Sequence, residues 1–140
     1  MRIEYREKSS NGPFIRLFHF SNKEVLEFKN LLKALADGKC SVIEMQNHKE
    51  VLDYDETFNL CFYVGTENQG IIRTEDGFKC VLNKTAYSNM IELVSSFGLH
   101  ALEAKGFEWL DETSGISLLI SPDDKWSTEP QEAAAGNKRS

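Results

Sequence analysis

The feature that most constrains this chain is a helix signal running from Ser21 to Leu35. Ser21 followed three residues later by Glu24 forms a capping box, in which each side chain satisfies a free backbone N–H. Val25, Phe28, Leu32 and Leu35 then recur at spacings of three, four and three, giving one apolar stripe flanked by Leu26 and Leu31. Lys23, Glu27, Lys29 and Lys33 take the opposite, solvated face, and Gly38 supplies the stop. Such a helix must lay its stripe against an apolar surface, and the runs around it read as strands.

"RIEYRE" alternates, with Ile3 and Tyr5 on one face. "FIRLFHF" (14–20) is apolar on both parities, as a strand central in a sheet or covered on both sides would be. "CSVIEM" (40–45) and "TFNLCFYVG" (57–65) follow the helix, and a short strand is expected around Val51 and Leu52. In "TFNLCFYVG", Phe58, Leu60, Phe62 and Val64 share one face, with Asn59, Cys61 and Tyr63 on the other. "IIRT" turns through Asp76-Gly77 into "FKCVLN", a hairpin in which Asp-Gly is suited to positive φ. A second helix is expected from Thr85 to Phe97, with Tyr87, Met90, Ile91, Val94 and Phe97 on its apolar side, Gly98 at its end, and a loose helical turn in "LHALEAK". "FEWLD" (107–111) and "GISLLIS" (115–121) complete the strands.

The order is ββαββ twice, and the units echo one another. Phe14 stands seven residues before Ser21, and Phe78 seven before Thr85. Identity between residues 1–65 and 66–121 is negligible and the helices differ in length, so coincidence competes with an internal pseudo-repeat. Either way the expected fold class is α+β, a mainly antiparallel sheet with two helices packed on one face. If the repeat holds, the helices lie side by side and Tyr63, Arg16 or Arg73 occupy the uncovered face. Residues 1–121 are read as a single domain. Residues 122–140 lack apolar periodicity and read as a polar, disordered tail whose apolar anchor is Trp126.

Charge divides along the chain. Of a net −6, residues 1–40 carry eight Lys/Arg against five Asp/Glu, and residues 41–121 carry five against thirteen. An acidic protein is poorly suited to phosphate backbones, which argues against a nucleic-acid partner. No apolar stretch approaches the roughly 20 residues that span a bilayer, and the N-terminal segment is charged and alternating, so a cytoplasmic location without membrane association is expected.

Cys40, Cys61 and Cys80 form neither a paired framework nor a CxxC unit, and with His19, His48 and His100 they offer no close ligand pair for zinc. No metal, cofactor or catalytic residue is therefore expected. A Cys61–His19 pair would need an acidified thiol beside an imidazole, and core packing is the simpler role for that cysteine. The acidic clusters Asp53, Asp55 and Glu56, and Asp111 with Glu112, lie in polar connections where solvated charge is the default. "GTENQG" lacks the Lys-Ser/Thr of a phosphate loop.

The aromatics point to binding instead, since Tyr and Trp are enriched at interfaces. Trp109, flanked by acidic residues, leads the interface candidates, with Asp111, Glu112 and Tyr63. The expectation is a small non-enzymatic protein acting by protein–protein interaction or self-association, for instance as a homodimer or as an acidic module aimed at a basic partner. The alternative is a small-molecule-binding domain or small enzyme with its site between sheet and helices.

Overall fold

In the computed structural model, which describes residues 1–8, 12–51, 58–100 and 107–121 (for 96–100 the helical backbone only), the first helix forms where its stripe requires it. This helix, α1, spans Asn22–Ala36 and buries Val25, Phe28, Leu32 and Leu35. The backbone N–H of Glu24 donates to Ser21 Oγ at 3.2 Å, and that of Ser21 to Glu24 Oε1 at 2.8 Å, completing the capping box. At the other end Gly38 adopts φ +77°. The N–H groups of Gly38 and Lys39 then reach back to the carbonyls of Leu35 and Ala34, a Schellman closure that only a residue tolerant of positive φ permits.

Before α1 come strands β1 (Arg2–Arg6) and β2 (Phe14–Phe18). After it come β3 (Val42–Glu44), a 3-10 turn at Met45–Asn47, β4 (Asn59–Val64), β5 (Gly70–Arg73), β6 (Gly77–Leu82), helix α2 (Lys84–His100), β7 (Glu108–Asp111) and β8 (Ser117–Ile120). The strands form two four-stranded sheets, sheet A in the order β1-β2-β8-β7 and sheet B in the order β3-β4-β6-β5. The central pairs β2–β8 and β4–β6 are parallel, and the four outer pairings are antiparallel.

The α+β class and the antiparallel majority expected from the sequence are thus present, divided between two sheets rather than gathered in one. Each helix carries the chain across the core, so the strands before it and after it enter different sheets. Inner side chains of both sheets meet both helices in one apolar core that includes Ile15, Leu17, Phe28, Leu32, Leu60, Phe62, Phe78, Cys80, Met90, Leu118 and Ile120. The helices pack side by side against one another.

The pseudo-repeat is visible in the topology. Exchanging β1–β4 for β5–β8 converts sheet A into sheet B read in reverse, with every parallel and antiparallel relation kept. The two halves are therefore interleaved, each contributing two strands to each sheet. The sequence echo itself is displaced by one residue. Phe14 points out of sheet A, whereas Phe78 points into the core, so the partner of Phe78 is Ile15 and that of Cys80 is Leu17. The cap of α2 is Asn83, whose Oδ1 accepts the N–H of Ala86 at 2.9 Å, not Thr85. Leu17 precedes its cap by four residues and Cys80 by three. The additional residue is accommodated at His19, where φ is +53°.

Several local expectations change. Gly98 does not end α2, which continues to His100, because an isolated glycine costs a helix only about 1 kcal/mol. Gly77 is needed for space and not for positive φ: a Cβ there would stand 2.0 Å from the carbonyl oxygen of Asn59 on the parallel neighbour. Val51 is buried in a turn and not in a strand. Leu52, the acidic cluster 53–56, most of "LHALEAK", the Phe97 side chain and the 122–140 segment with Trp126 lie outside the described residues.

Candidate functional site

Because both helices lie on the inner side, each sheet has an outer face, and the two differ. On sheet A, Phe14, Arg16 and Phe18 of β2 and Ser117, Leu119 and Ser121 along β8 point outward, yet all six are buried. Phe14 and Leu119 cluster with Phe107 and Trp109, and Phe14 meets the Trp109 ring edge-on at 6.3 Å. Arg16 Nε donates to Glu4 Oε2 at 2.5 Å while its guanidinium lies 4.1 Å from the Phe18 ring centroid.

Sheet B presents an open face. Val42 on edge strand β3 pairs directly with Tyr63 on β4, and both side chains point outward with 38% and 39% exposure. Alternation dictates this, since Ile43 and Phe62 beside them must reach the core. Lys79 of β6 extends beside them, its ammonium 5.9 Å from the Tyr63 ring centroid.

Below this pair a hollow of about 260 Å³ is lined by Glu44, Gln46, Asn59, Cys61, Thr74, Asp76 and neighbours. Its polar groups are organised. Asn59 Nδ2 donates to Asp76 Oδ2 at 2.7 Å, Thr74 Oγ1 to Asp76 Oδ1 at 3.3 Å, and Gln46 Nε2 to Glu44 Oε1 at 3.2 Å. Burial, reinforced by the carboxylates of Glu44 and Asp76, pushes the Cys61 thiol above its ordinary range, which opposes a nucleophilic thiolate. Cys61 stands on β4 of sheet B, whereas His19 lies in the bend just after β2 of sheet A. Among the described residues no group of three or more His, Cys, Asp or Glu side chains is placed to hold a metal.

The interface candidates divide. Trp109, Asp111 and Glu112 share edge strand β7 and its turn in sheet A, while Tyr63 stands on sheet B. Trp109 is half-buried, stacked edge-on to Phe14 and to Phe107, the latter at 5.6 Å. Asp111 organises the turn, accepting from Thr113 Oγ1 at 2.6 Å and Thr113 N–H at 3.3 Å, and Glu112 is exposed. Of the residues expected on an uncovered face, Tyr63 is there. Arg16 is buried, and Arg73 instead donates to the Tyr5 hydroxyl at 2.7 Å beside the Phe78 ring.

Comparison with models of known families, with curated proteins and with solved structures returns no match to this chain.

Val42 is the outward residue that the sequence reading did not single out. Its signal is present in "SVIE": if Ile43 faces the core, a β-branched apolar residue is left facing out on a three-residue edge strand. Sheet B also draws all its strands from the acidic part of the chain. Residues 42–82 carry eight Asp/Glu and three Lys/Arg. Among the described residues no helix is long and apolar enough to cross a membrane.

Proposed function

We propose that this chain is a non-enzymatic binding protein that engages a protein partner through the outer face of sheet B. The supporting observation is the Val42–Tyr63 pair, an exposed aromatic and an exposed aliphatic side chain joined across two strands in an acidic surround. Apolar anchors rimmed by charge are what a protein interface needs, the anchors supplying affinity and the rim orientation. The acidic surround, with Glu44 and Asp76 beside the pair, favours a partner with a basic contact surface.

The test is capture of partners from the native host by wild type and by Val42→Ser/Tyr63→Ser, followed by native mass spectrometry. The expected result is a discrete hetero-assembly with wild type that weakens at least about tenfold in the double variant and with rising salt. Equal capture by a folded double variant removes this face from the proposal. A pure homo-oligomer broken by the same substitutions would direct it to self-association.

A small-molecule site is the second reading, favoured by two adjoining hollows of about 530 and 440 Å³ that share Val64 and Lys84 where β4, α1 and α2 converge. A metabolite panel that raises the melting temperature of wild type but not of Lys84→Ala would support it.

A further inference from the structure

We infer that the hollow below the Val42–Tyr63 pair receives an arginine side chain of the protein partner. The inference rests on the reading of sheet B's outer face as the binding surface, and it names the group that this surface recognises. Strand register builds the hollow. Glu44 of β3, Cys61 of β4 and Lys79 of β6 stand abreast in one outward row, since Glu44 pairs with Cys61 and Cys61 with Lys79. Asn59, two residues back along β4, lines the next step, with Thr74 and Asp76 from the β5–β6 turn. At about 260 Å³ the space falls below the roughly 300–1,000 Å³ of pockets that enclose small molecules, and it suits a single inserted side chain.

Charge and hydrogen bonding choose the occupant. Among the described residues the lining carries two carboxylates, Glu44 and Asp76, against the one ammonium of Lys79. Asn59 and Thr74 both donate to Asp76, and Gln46 Nε2 donates to Glu44 Oε1. Glu44 Oε2 and the buried Gln46 Oε1 have no donor among the described residues. A buried acceptor without a donor calls for one from outside. Both carboxylates also act on the Cys61 thiol at the floor, adding to the effect of its burial. An ammonium would bring three donors at one point. A guanidinium spreads five in a plane, so it can serve carboxylates from two strands and an amide oxygen while its face lies on the Tyr63 ring. The Lys79 ammonium, 5.9 Å from that ring centroid, already shows that the ring accepts a cation beside it.

The test is an NMR titration of the full, isotope-labelled chain with a blocked Gly-Arg-Gly peptide and with counterparts carrying citrulline or lysine in place of arginine. Saturable shifts should centre on the amides of Gln46, Cys61 and Thr74, with both counterparts at least about fivefold weaker. Glu44→Gln/Asp76→Asn keeps oxygens for Gln46, Asn59 and Thr74 to donate to. In a chain whose spectrum stays dispersed, it should weaken the arginine peptide at least about tenfold. Lys79→Gln should tighten binding about two- to threefold by removing a like charge. No saturable shift overturns the inference, as does an equal response to either counterpart or an undiminished response of the folded double variant. The reading of the surface is judged separately, by whether Val42→Ser/Tyr63→Ser loses the captured partner.

Discussion

The hydroxyl of Tyr87 lies 2.7 Å from the main-chain carbonyl oxygen of Tyr63 and 3.0 Å from that of Cys80. One buried phenol on α2 is thus tied to both strands of the parallel pair at the centre of sheet B, directly behind the exposed Tyr63 ring. Burial, with Cys80 beside it, pushes the Tyr87 phenol far above its ordinary range, so it remains a neutral donor. Tyr87→Phe keeps the ring and removes the bond. It should cost about 1 kcal/mol and lower the melting temperature by about 3–5 °C, read by calorimetry.

Gly77 carries a steric demand. Its missing Cβ makes room for the backbone of Asn59, with which it pairs in the β4–β6 ladder. Gly77→Ala should destabilise by about 1–3 kcal/mol or more, since the neighbour is main chain and cannot swing aside. Gly115, whose Cβ position meets nothing within 4 Å, is the control. Gly115→Ala should leave the unfolding free energy from urea titration within about 0.5 kcal/mol of wild type.

Glu24 links stability to acid. Burial alone would raise its carboxyl. The terminal ammonium of Met1 at 2.5 Å and the Ser21 hydrogen bonds outweigh that, and hold it below its ordinary value of 4.5. The folded carboxyl therefore has the lower pKa. Its stabilisation is present above pH 4.5 and is lost as pH falls through the folded value. Melting temperatures of wild type and Glu24→Gln should differ at pH 7 and converge as the pH is lowered below that range.

The cysteines should separate by access. Cys80 is buried in the core, where desolvation pushes its thiol well above the ordinary range. Mass-resolved alkylation at pH 8 should modify Cys80 only after denaturant is added. Cys40 and Cys61, both half-buried, should react in the folded protein, Cys61 the more slowly because burial and the nearby carboxylates of Glu44 and Asp76 raise its thiol.

Much of this fold is readable from local pattern. The Ser21–Glu24 box and the stripe through Leu35 define α1 because cap and period agree, and Leu60 and Phe62 against Cys61 and Tyr63 define β4. What local pattern does not carry is partnership between distant strands. Alternation puts Ile15 and Leu118 in strands but says nothing about their being neighbours, so two sheets read as one. The same limit applies to the candidate site. Tyr63 is recognisable as outward, but the prominence of Val42 depends on its pairing with Tyr63. Trp109 looks available in "FEWLD" because Phe14, its packing neighbour, is far away in the sequence.

The parallel pairing of β2 with β8 joins stretches about a hundred residues apart, while sheet B is complete by Leu82. Chain growth at about 5–20 residues per second therefore leaves a window of seconds in which sheet B has its strands and sheet A lacks half of its own. During that window β2 offers one ladder edge and an uncovered apolar row to whatever is nearby. For a newly made molecule, the hazard lies in the interval before the last strand arrives.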